Sequence, residues 1–258
     1  MTKTPDAVAP KRGKPRVQKE IIAALTQAIA VGRYPVQTTL PRENDLCTEF
    51  GVSRTVIREV LKVLESKGIV RVKPRVGTTV RDREDWNLLD PDVIDWLGPN
   101  FFDFSMLASI LEARRTIEPA AAELAAQRAT TQDVADMEEA WRQMRDATDF
   151  DSFNDADVIF HTTLLKASHN RVFAQLSGII HAALSRALGT SNRAAPDHGK
   201  ALQAHYALVD ALRMRNKDEA RRAAFGILEL AAHDLAHAAE EEHASSSDKA
   251  DIAALAHS

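Results

Sequence analysis

The sequence predicts a mainly α-helical protein in two parts: a head of three helices and a two-stranded hairpin, then a C-terminal all-helical bundle. Three observations carry this reading. Apolar residues recur at helical spacing through most of the 258-residue chain. Only one short region, residues 69–80, has the alternating, β-branched character of strands. Charge is also divided unevenly: residues 1–85 hold 17 Lys and Arg against 10 Asp and Glu, a net +7, whereas the remainder is net −11.

The elements follow in order. Residues 1–15 hold Pro5, Pro10 and Pro15 among several Lys and Arg and read as a flexible basic arm. From Val17 to Val31 apolar residues fall at Ile21, Ile22, Leu25 and Ile29, a helical period that Gly32 ends. Glu43 to Phe50 makes a second, short helix, and Gly51 supplies a tight turn after it. Ser53 stands as the N-cap of a third helix reaching Lys67, with Val56, Val60, Leu61 and Leu64 as its buried stripe, and Gly68 stops it. Ile69 to Val72 is then a strand, Lys73 to Gly77 a turn, and Thr78-Thr79-Val80 the return strand. Residues 16–81 therefore form the first domain. Residues 82–104, with Trp86, Leu88, Leu89 and Trp96, read as a linker. Residues 105–243 form the helical domain, with helices near 105–127, 131–147, 151–168, 171–189, 197–215 and 217–242. The Ser-rich stretch 244–258 reads as a disordered tail.

Composition narrows the function classes. A hydrophobic content of 45% belongs to a globular chain. No stretch approaches the ~20 uncharged apolar residues of a membrane helix, so no membrane partner is expected. The polar, basic start, Met1 to Arg16, is unlike a secretory signal. The single cysteine, Cys47, sits in an amphipathic pattern, excludes an internal disulfide framework and fits a reducing cytoplasm. A basic first third joined to an acidic remainder points to a polyanion that meets only the head.

Helix, helix, tight turn, helix and hairpin is the order of a winged helix-turn-helix. Ser53, Arg54, Thr55 and Arg58 lie on the first turns of the third helix, where free N–H groups and the positive dipole end favour a phosphate oxygen. Arg54 and Arg58 share a face, and either has the fork geometry for guanine. The same residues also fit an ordinary solvated surface on which Ser53 only caps the helix.

The helical part carries four polar residues that intrude on three apolar stripes. Arg114 interrupts Leu107, Ile110, Leu111, Ile117 and Ala121; Asp157 and His161 interrupt Phe153, Phe160 and Leu164; His205 interrupts Leu202, Leu208, Val209 and Leu212. Burying unpaired charge costs several kcal/mol or more, so these groups need partners. One solution is a shared polar pocket completed by water, ligand or metal. The other is an internal Arg114–Asp157 salt bridge with satisfied core histidines. As a pocket, Arg114 suits bidentate recognition of a carboxylate, while Asp157, His161 and His205 suit hydroxyls. That mix fits a hydroxylated carboxylic acid such as an aldonate or hexuronate, not a fatty acyl chain.

The run Leu40-Pro41-Arg42-Glu43-Asn44-Asp45-Leu46, then Gly51-Val52-Ser53-Arg54-Thr55-Val56-Ile57-Arg58-Glu59-Val60-Leu61, with Leu64, Gly68 and Gly77-Thr78-Thr79-Val80, resembles the GntR family of regulators. Glu112-Ala113-Arg114, Ile117-Glu118-Pro119, Asp157 with His161, Ala167-Ser168-His169-Asn170 and His205 resemble the FCD domain of that family's FadR subfamily. The resemblance covers nearly all of residues 17–235. It implies DNA contacts from Arg42, Ser53, Arg54, Thr55, Arg58, Arg75 and Gly77, the last two at a wing tip that departs from the family's usual Gly-Arg-Gly. It implies a divalent metal, zinc or nickel, on Asp157, His161 and His205, with the usual fourth ligand position falling near Leu228. The segment Trp86 to Ile94 resembles that of sugar-acid-responsive members.

These readings converge on a homodimeric, cytoplasmic transcription regulator without catalytic activity. It is expected to repress by binding double-stranded operator DNA and to be released by a small carboxylate effector. Two rival readings use the same residues: a helical metallohydrolase built on Asp157, His161 and His205, and an architectural DNA-binding protein with an inert bundle.

Overall fold

A computed structural model describes residues 14–73, 75–98, 101–191 and 198–255 of the chain, which divides into two compact units at Phe101/Phe102. Most of the expected basic arm, residues 1–13, lies outside the described residues.

In the first unit, helix α1 (Lys14–Ala30) buries Ile21, Ile22, Leu25 and Ile29, the stripe its sequence spaces at helical period. Helix α2 (Glu43–Phe50) ends at Gly51, whose φ of +64° is the left-handed conformation that glycine adopts without a Cβ clash. Helix α3 (Arg54–Ser66) buries Ile57, Val60, Leu61 and Leu64. Strands β1 (Val70–Lys73) and β2 (Gly77–Val80) pair antiparallel, with Val70 opposite Val80 and Lys73 opposite Gly77. Residues 37–40 extend this hairpin: the Leu40 N–H donates to the Thr78 carbonyl at 2.8 Å, and the Val80 N–H to the Thr38 carbonyl at 2.9 Å.

The end of α3 is closed by Gly68. The Gly68 N–H bonds to the Glu65 carbonyl and the Ile69 N–H to the Leu64 carbonyl, the paired bonds of a Schellman cap, and Leu64 and Ile69 are both fully buried. Gly68 has φ +82°, and a Cβ there would lie 2.5 Å from the Asp85 carbonyl oxygen. The left-handed conformation costs a non-glycine residue ~1–2 kcal/mol and overpacking a further ~1–3. Gly68→Ala is therefore expected to destabilise the first unit by about 2–4 kcal/mol. Urea unfolding checks this, and a loss below ~0.5 kcal/mol would contradict it.

The segment expected to be a linker is instead largely part of this unit. Asp82 to Trp86 makes a single 3-10 turn, and helix α4 (Pro91–Leu97) packs on α1. Trp86, Val93, Ile94, Leu97 and Phe101 are buried, with Trp86 and Phe101 stacked at 5.6 Å. Five apolar side chains over sixteen residues give this segment a hydrophobic reason to dock. Lys67, the C-cap of α3, fastens it further: its ammonium contacts Asp90 at 2.5 Å and Asp92 at 3.1 Å and lies over the Trp96 ring.

Among the described residues the second unit is a bundle of six helices, α5 (Phe104–Arg128), α6 (Thr131–Asp146), α7 (Phe150–Ala167), α8 (Arg171–Ser191), α9 (Gly199–Arg213) and α10 (Lys217–Leu255). Asp103, Thr130 and Asp149 cap α5, α6 and α7 by accepting backbone N–H groups at their starts. Helix α10 packs along α5 and α9, and α7 along α6 and α8. The core joins a small-residue stripe, Ala122, Ala125 and Ala126 of α5, to larger side chains such as Met137, Phe160, Leu164, Leu208 and Leu212. Helix α10 continues through most of the stretch expected to be a disordered tail, because no glycine or proline follows Gly226 to stop it. Among the described residues, no helix is long and apolar enough to cross a membrane.

Candidate functional site

The first candidate surface lies at the start of α3 and on the hairpin. Ser53 occupies the N-cap position, but its hydroxyl makes no capping bond. Its carbonyl accepts the Val56 and Ile57 N–H groups at 3.0 and 3.2 Å. The N–H groups of Arg54 and Thr55 have no partner within the described residues, so they face outward at the positive end of the helix dipole. Arg42 precedes α2 and is held at the backbone, where its N–H donates to the Asp45 carboxylate at 3.2 Å. Arg75, at the hairpin tip, takes φ +65°. Gly77 takes φ +112°, and a Cβ there would sit 3.2 Å from the Thr39 methyl.

The pairing of cations within this unit is uneven. Arg16, Arg33, Lys62, Lys67 and Arg81 each bond to an acidic side chain. Arg42, Arg54 and Arg75 are exposed and have no acidic partner among the described residues, and the same holds for Arg71 and Lys73 of β1, which sequence reading passed over. Arg58 differs from the other expected contacts: its Nε donates to Glu43 of α2 at 2.9 Å. Unpaired positive charge thus gathers at the α3 start and along the hairpin, the parts that a helix-turn-helix with a wing presents to DNA.

The second candidate site is a cavity inside the helical unit. Its volume is about 90 Å³, several times what a single water requires. Arg114 of α5, Asp157 and His161 of α7 and His205 of α9 all line it, with Phe153, Leu184, Ile227, Leu230 and Ala231 supplying apolar wall. The four polar residues are buried, none more than 8% exposed. The structure therefore brings together all four intrusions that the sequence singled out.

It pairs them differently from the expected salt bridge. Arg114 does not bridge to Asp157. Its Nε donates to Glu118, one helical turn along α5, at 2.6 Å. Glu118 is 1% exposed, and its other oxygen lies 2.6 Å from His161 Nδ1. Sequence reading missed Glu118 as a site residue. The available signal was its position four residues after Arg114, which puts both on one face.

Charge in the cavity is strongly biased. Burial pushes the Glu118 carboxyl up, but Arg114 and His161 outweigh it and bring it down to about 2. Burial likewise pushes the Asp157 carboxyl up, and His161 and His205 override it, holding Asp157 well below the usual carboxylate range. Burial pushes His161 down, yet the carboxylates of Glu118 and Asp157 prevail over Arg114 and raise it to about 9. The cavity favours positive charge beside Asp157.

Ligand atoms of Asp157, His161 and His205 lie within 4.8 Å of one another. His205 Nδ1 donates to the Ala201 carbonyl at 2.7 Å, which leaves Nε2 as the ring nitrogen that faces the cavity. That Nε2 is a buried polar atom without a hydrogen-bond partner, 3.1 Å from Asp157 Oδ1. His161 is oriented alike: Nδ1 faces Glu118, and Nε2 faces Asp157 Oδ1 at 3.5 Å. Two imidazole nitrogens and a carboxylate oxygen thus converge with their other ring nitrogens anchored, a donor set that fits a divalent cation. Leu228 is fully buried and offers no fourth ligand, and its neighbour Ile227 lines the wall.

Comparisons with known proteins match both parts of the chain to described families. Residues 17–80 match the family described as "Bacterial regulatory proteins, gntR family", and residues 109–233 match the "FCD domain". The chain is 37% identical over 211 residues to the galactonate operon transcriptional repressor of Escherichia coli (strain K12), covering 81% of this chain and 92% of that protein. It is 28% identical over 221 residues to the Uxu operon regulator of Haemophilus influenzae, covering 83% and 80% of the two chains. Among solved structures, one described as "Lar controls the expression of the Listeria monocytogenes agr system and mediates virulence" has a TM-score of 0.62 at 18% identity, over 86% of this chain and 96% of that one. E. coli McbR/YncC has a TM-score of 0.51 at 18% identity, covering 86% and 97%. These two likenesses concern the fold alone.

Proposed function

The chain belongs to the GntR family of bacterial transcription regulators and carries an FCD domain, and from that premise we propose that it is a homodimeric repressor whose operator complex is dissolved by a hydroxylated monocarboxylic acid, an aldonate or hexuronate, bound beside a divalent cation. The observation that carries this reading is the convergence of Arg114, Asp157, His161 and His205 on one buried cavity. The guanidinium is suited to the carboxylate, and the Asp157–His161–His205 group to a zinc or nickel ion that the acid's hydroxyls complete. The name of one relative, the repressor of a galactonate operon, supports an acid of this class. The GntR and FCD matches, and the relatives' regulatory roles, favour neither the metallohydrolase nor the inert bundle.

In this reading a symmetric dimer sets two α3 helices into successive major grooves of an inverted repeat. Ser53, Arg54, Thr55 and Arg58 meet bases and phosphates, with Arg42, Arg75, Gly77 and the unpaired Arg71 and Lys73 beside them. Arg58 has to exchange Glu43 for DNA, whereas Arg54 is already unpaired. Arg54→Ala is expected to weaken binding to duplexes selected from a random pool by at least ~1 kcal/mol, read by fluorescence anisotropy. Binding equal to wild type would remove α3 from the interface. The effector reading is tested by titrating galactonate, glucuronate and a fatty acid into the protein–DNA complex, with and without zinc. Release by the sugar acids alone supports it. Release only by the fatty acid, or by none of the three, overturns it.

A further inference from the structure

We propose that Glu118 is a positioning residue that sets His161 for the cation and Arg114 for the acid at once, making one carboxylate the mechanical link between the two halves of the site; this rests on the cation reading above. Glu118 projects from α5, and both of its oxygens are engaged at the same distance. One accepts Arg114 Nε at 2.6 Å, and the other faces His161 Nδ1 at 2.6 Å. An ionised carboxylate only accepts, so Nδ1 must carry the proton and donate it. His161 Nε2 is thereby turned toward Asp157 Oδ1 at 3.5 Å, the place where ligand atoms converge. On the other side, Glu118 occupies only the Nε edge of the guanidinium. The terminal nitrogens of Arg114 are thereby left to the cavity that this residue lines, where they suit a carboxylate.

A pair that served stability alone would use Arg114 and Glu118 and leave His161 to an independent partner. Here His161 has no other Nδ1 partner among the described residues, and Arg114 has no other acidic one. His205, by contrast, draws its orientation from the Ala201 backbone carbonyl. The two histidines therefore depend on different supports: one is fixed by the helix backbone, the other by a side chain that also holds the effector's arginine.

Glu118→Gln keeps shape and removes one acceptor. If its amide oxygen stays on Arg114, its NH2 faces His161 Nδ1 and drives the ring proton to Nε2, where it blocks the cation. If the amide turns over, two donors meet at Arg114. The test measures Co2+ affinity by competition with a chromophoric chelator, on tag-free full-length protein, together with the site of the His161 ring proton by 15N NMR of the zinc-loaded state. Glu118→Gln is expected to weaken Co2+ binding by about 10–100-fold, the usual range for removing a ligand's supporting partner. The double variant Arg114→Met/Glu118→Gln frees the amide oxygen to face His161, so Co2+ affinity should recover to within about tenfold of wild type and the His161 ring proton should return to Nδ1, a spectroscopic change that a merely structural role would not give. Glu118→Gln protein that binds Co2+ within about threefold of wild type overturns the role of Glu118 alone. So does a double variant that is folded by circular dichroism and no better than the single one. Wild-type protein that fails to bind Co2+ stoichiometrically overturns the cation reading itself, and this inference with it.

Discussion

Arg114→Ala is expected to cost the helical unit about 3–5 kcal/mol, because it strands the buried Glu118 carboxylate with only His161 as partner. The pair is 6% and 1% exposed at the side chain, so water screens it little. Chemical denaturation followed at 222 nm measures the loss, and a value below ~1 kcal/mol would show that solvent reaches Glu118. Arg114→Met/Glu118→Gln removes both charges together and replaces them with groups of similar volume, which in other proteins is neutral or stabilising. That double variant should recover most of the stability and still bind DNA, yet stay on the operator at acid concentrations that release wild type. Release at the wild-type concentration would remove Arg114 from effector recognition. The pairing of variants matters because a single alanine confounds a lost ligand contact with a lost fold.

The second large effect concerns the cation. A ligand that binds only the folded state stabilises it by about 2.7 kcal/mol at a hundred times its dissociation constant. For a unit of this size that corresponds to a rise in Tm of roughly 5–10 °C on adding zinc or nickel to chelator-treated protein. In His205→Ala the metal-dependent rise should vanish even though the metal-free protein still melts cooperatively. The measured quantity is the difference with and without metal, so any general weakening by the substitution cancels. An undiminished rise in His205→Ala would place the ion elsewhere.

The head was readable because its signals are local. Gly51 and Gly68 stop helices within a few residues, and the alternation of residues 69–72 needs no distant partner to be seen. The four polar intrusions of the bundle were readable for a related reason: each breaks a stripe on its own helix. What the stripe could not give was the partner. Arg114 met Glu118 rather than Asp157: Glu118 lies one turn along the same helix, whereas contact with Asp157 depends on how α5 packs on α7, which the period of either helix does not decide. The Arg58–Glu43 pair joins two helices fifteen residues apart and has no pattern to announce it. Trp86, Val93, Ile94, Leu97 and Phe101 stood among aspartates and a proline and read as connection. Only their burial against α1 and the end of α3 makes them core. The C-terminal stretch was misread from its serines, although helix needs only that nothing stops it.

The docking of residues 82–98 and of Phe101 bears on how such regulators exchange parts. A recombination event, or an engineer, that cut this chain after the hairpin would graft a head lacking Trp86, α4 and the acidic clamp on Lys67, and would expose the apolar surface those residues cover. The first unit ends at Phe101. A junction at which another bundle could be fitted without disturbing α3 therefore lies some twenty residues beyond the end of the hairpin.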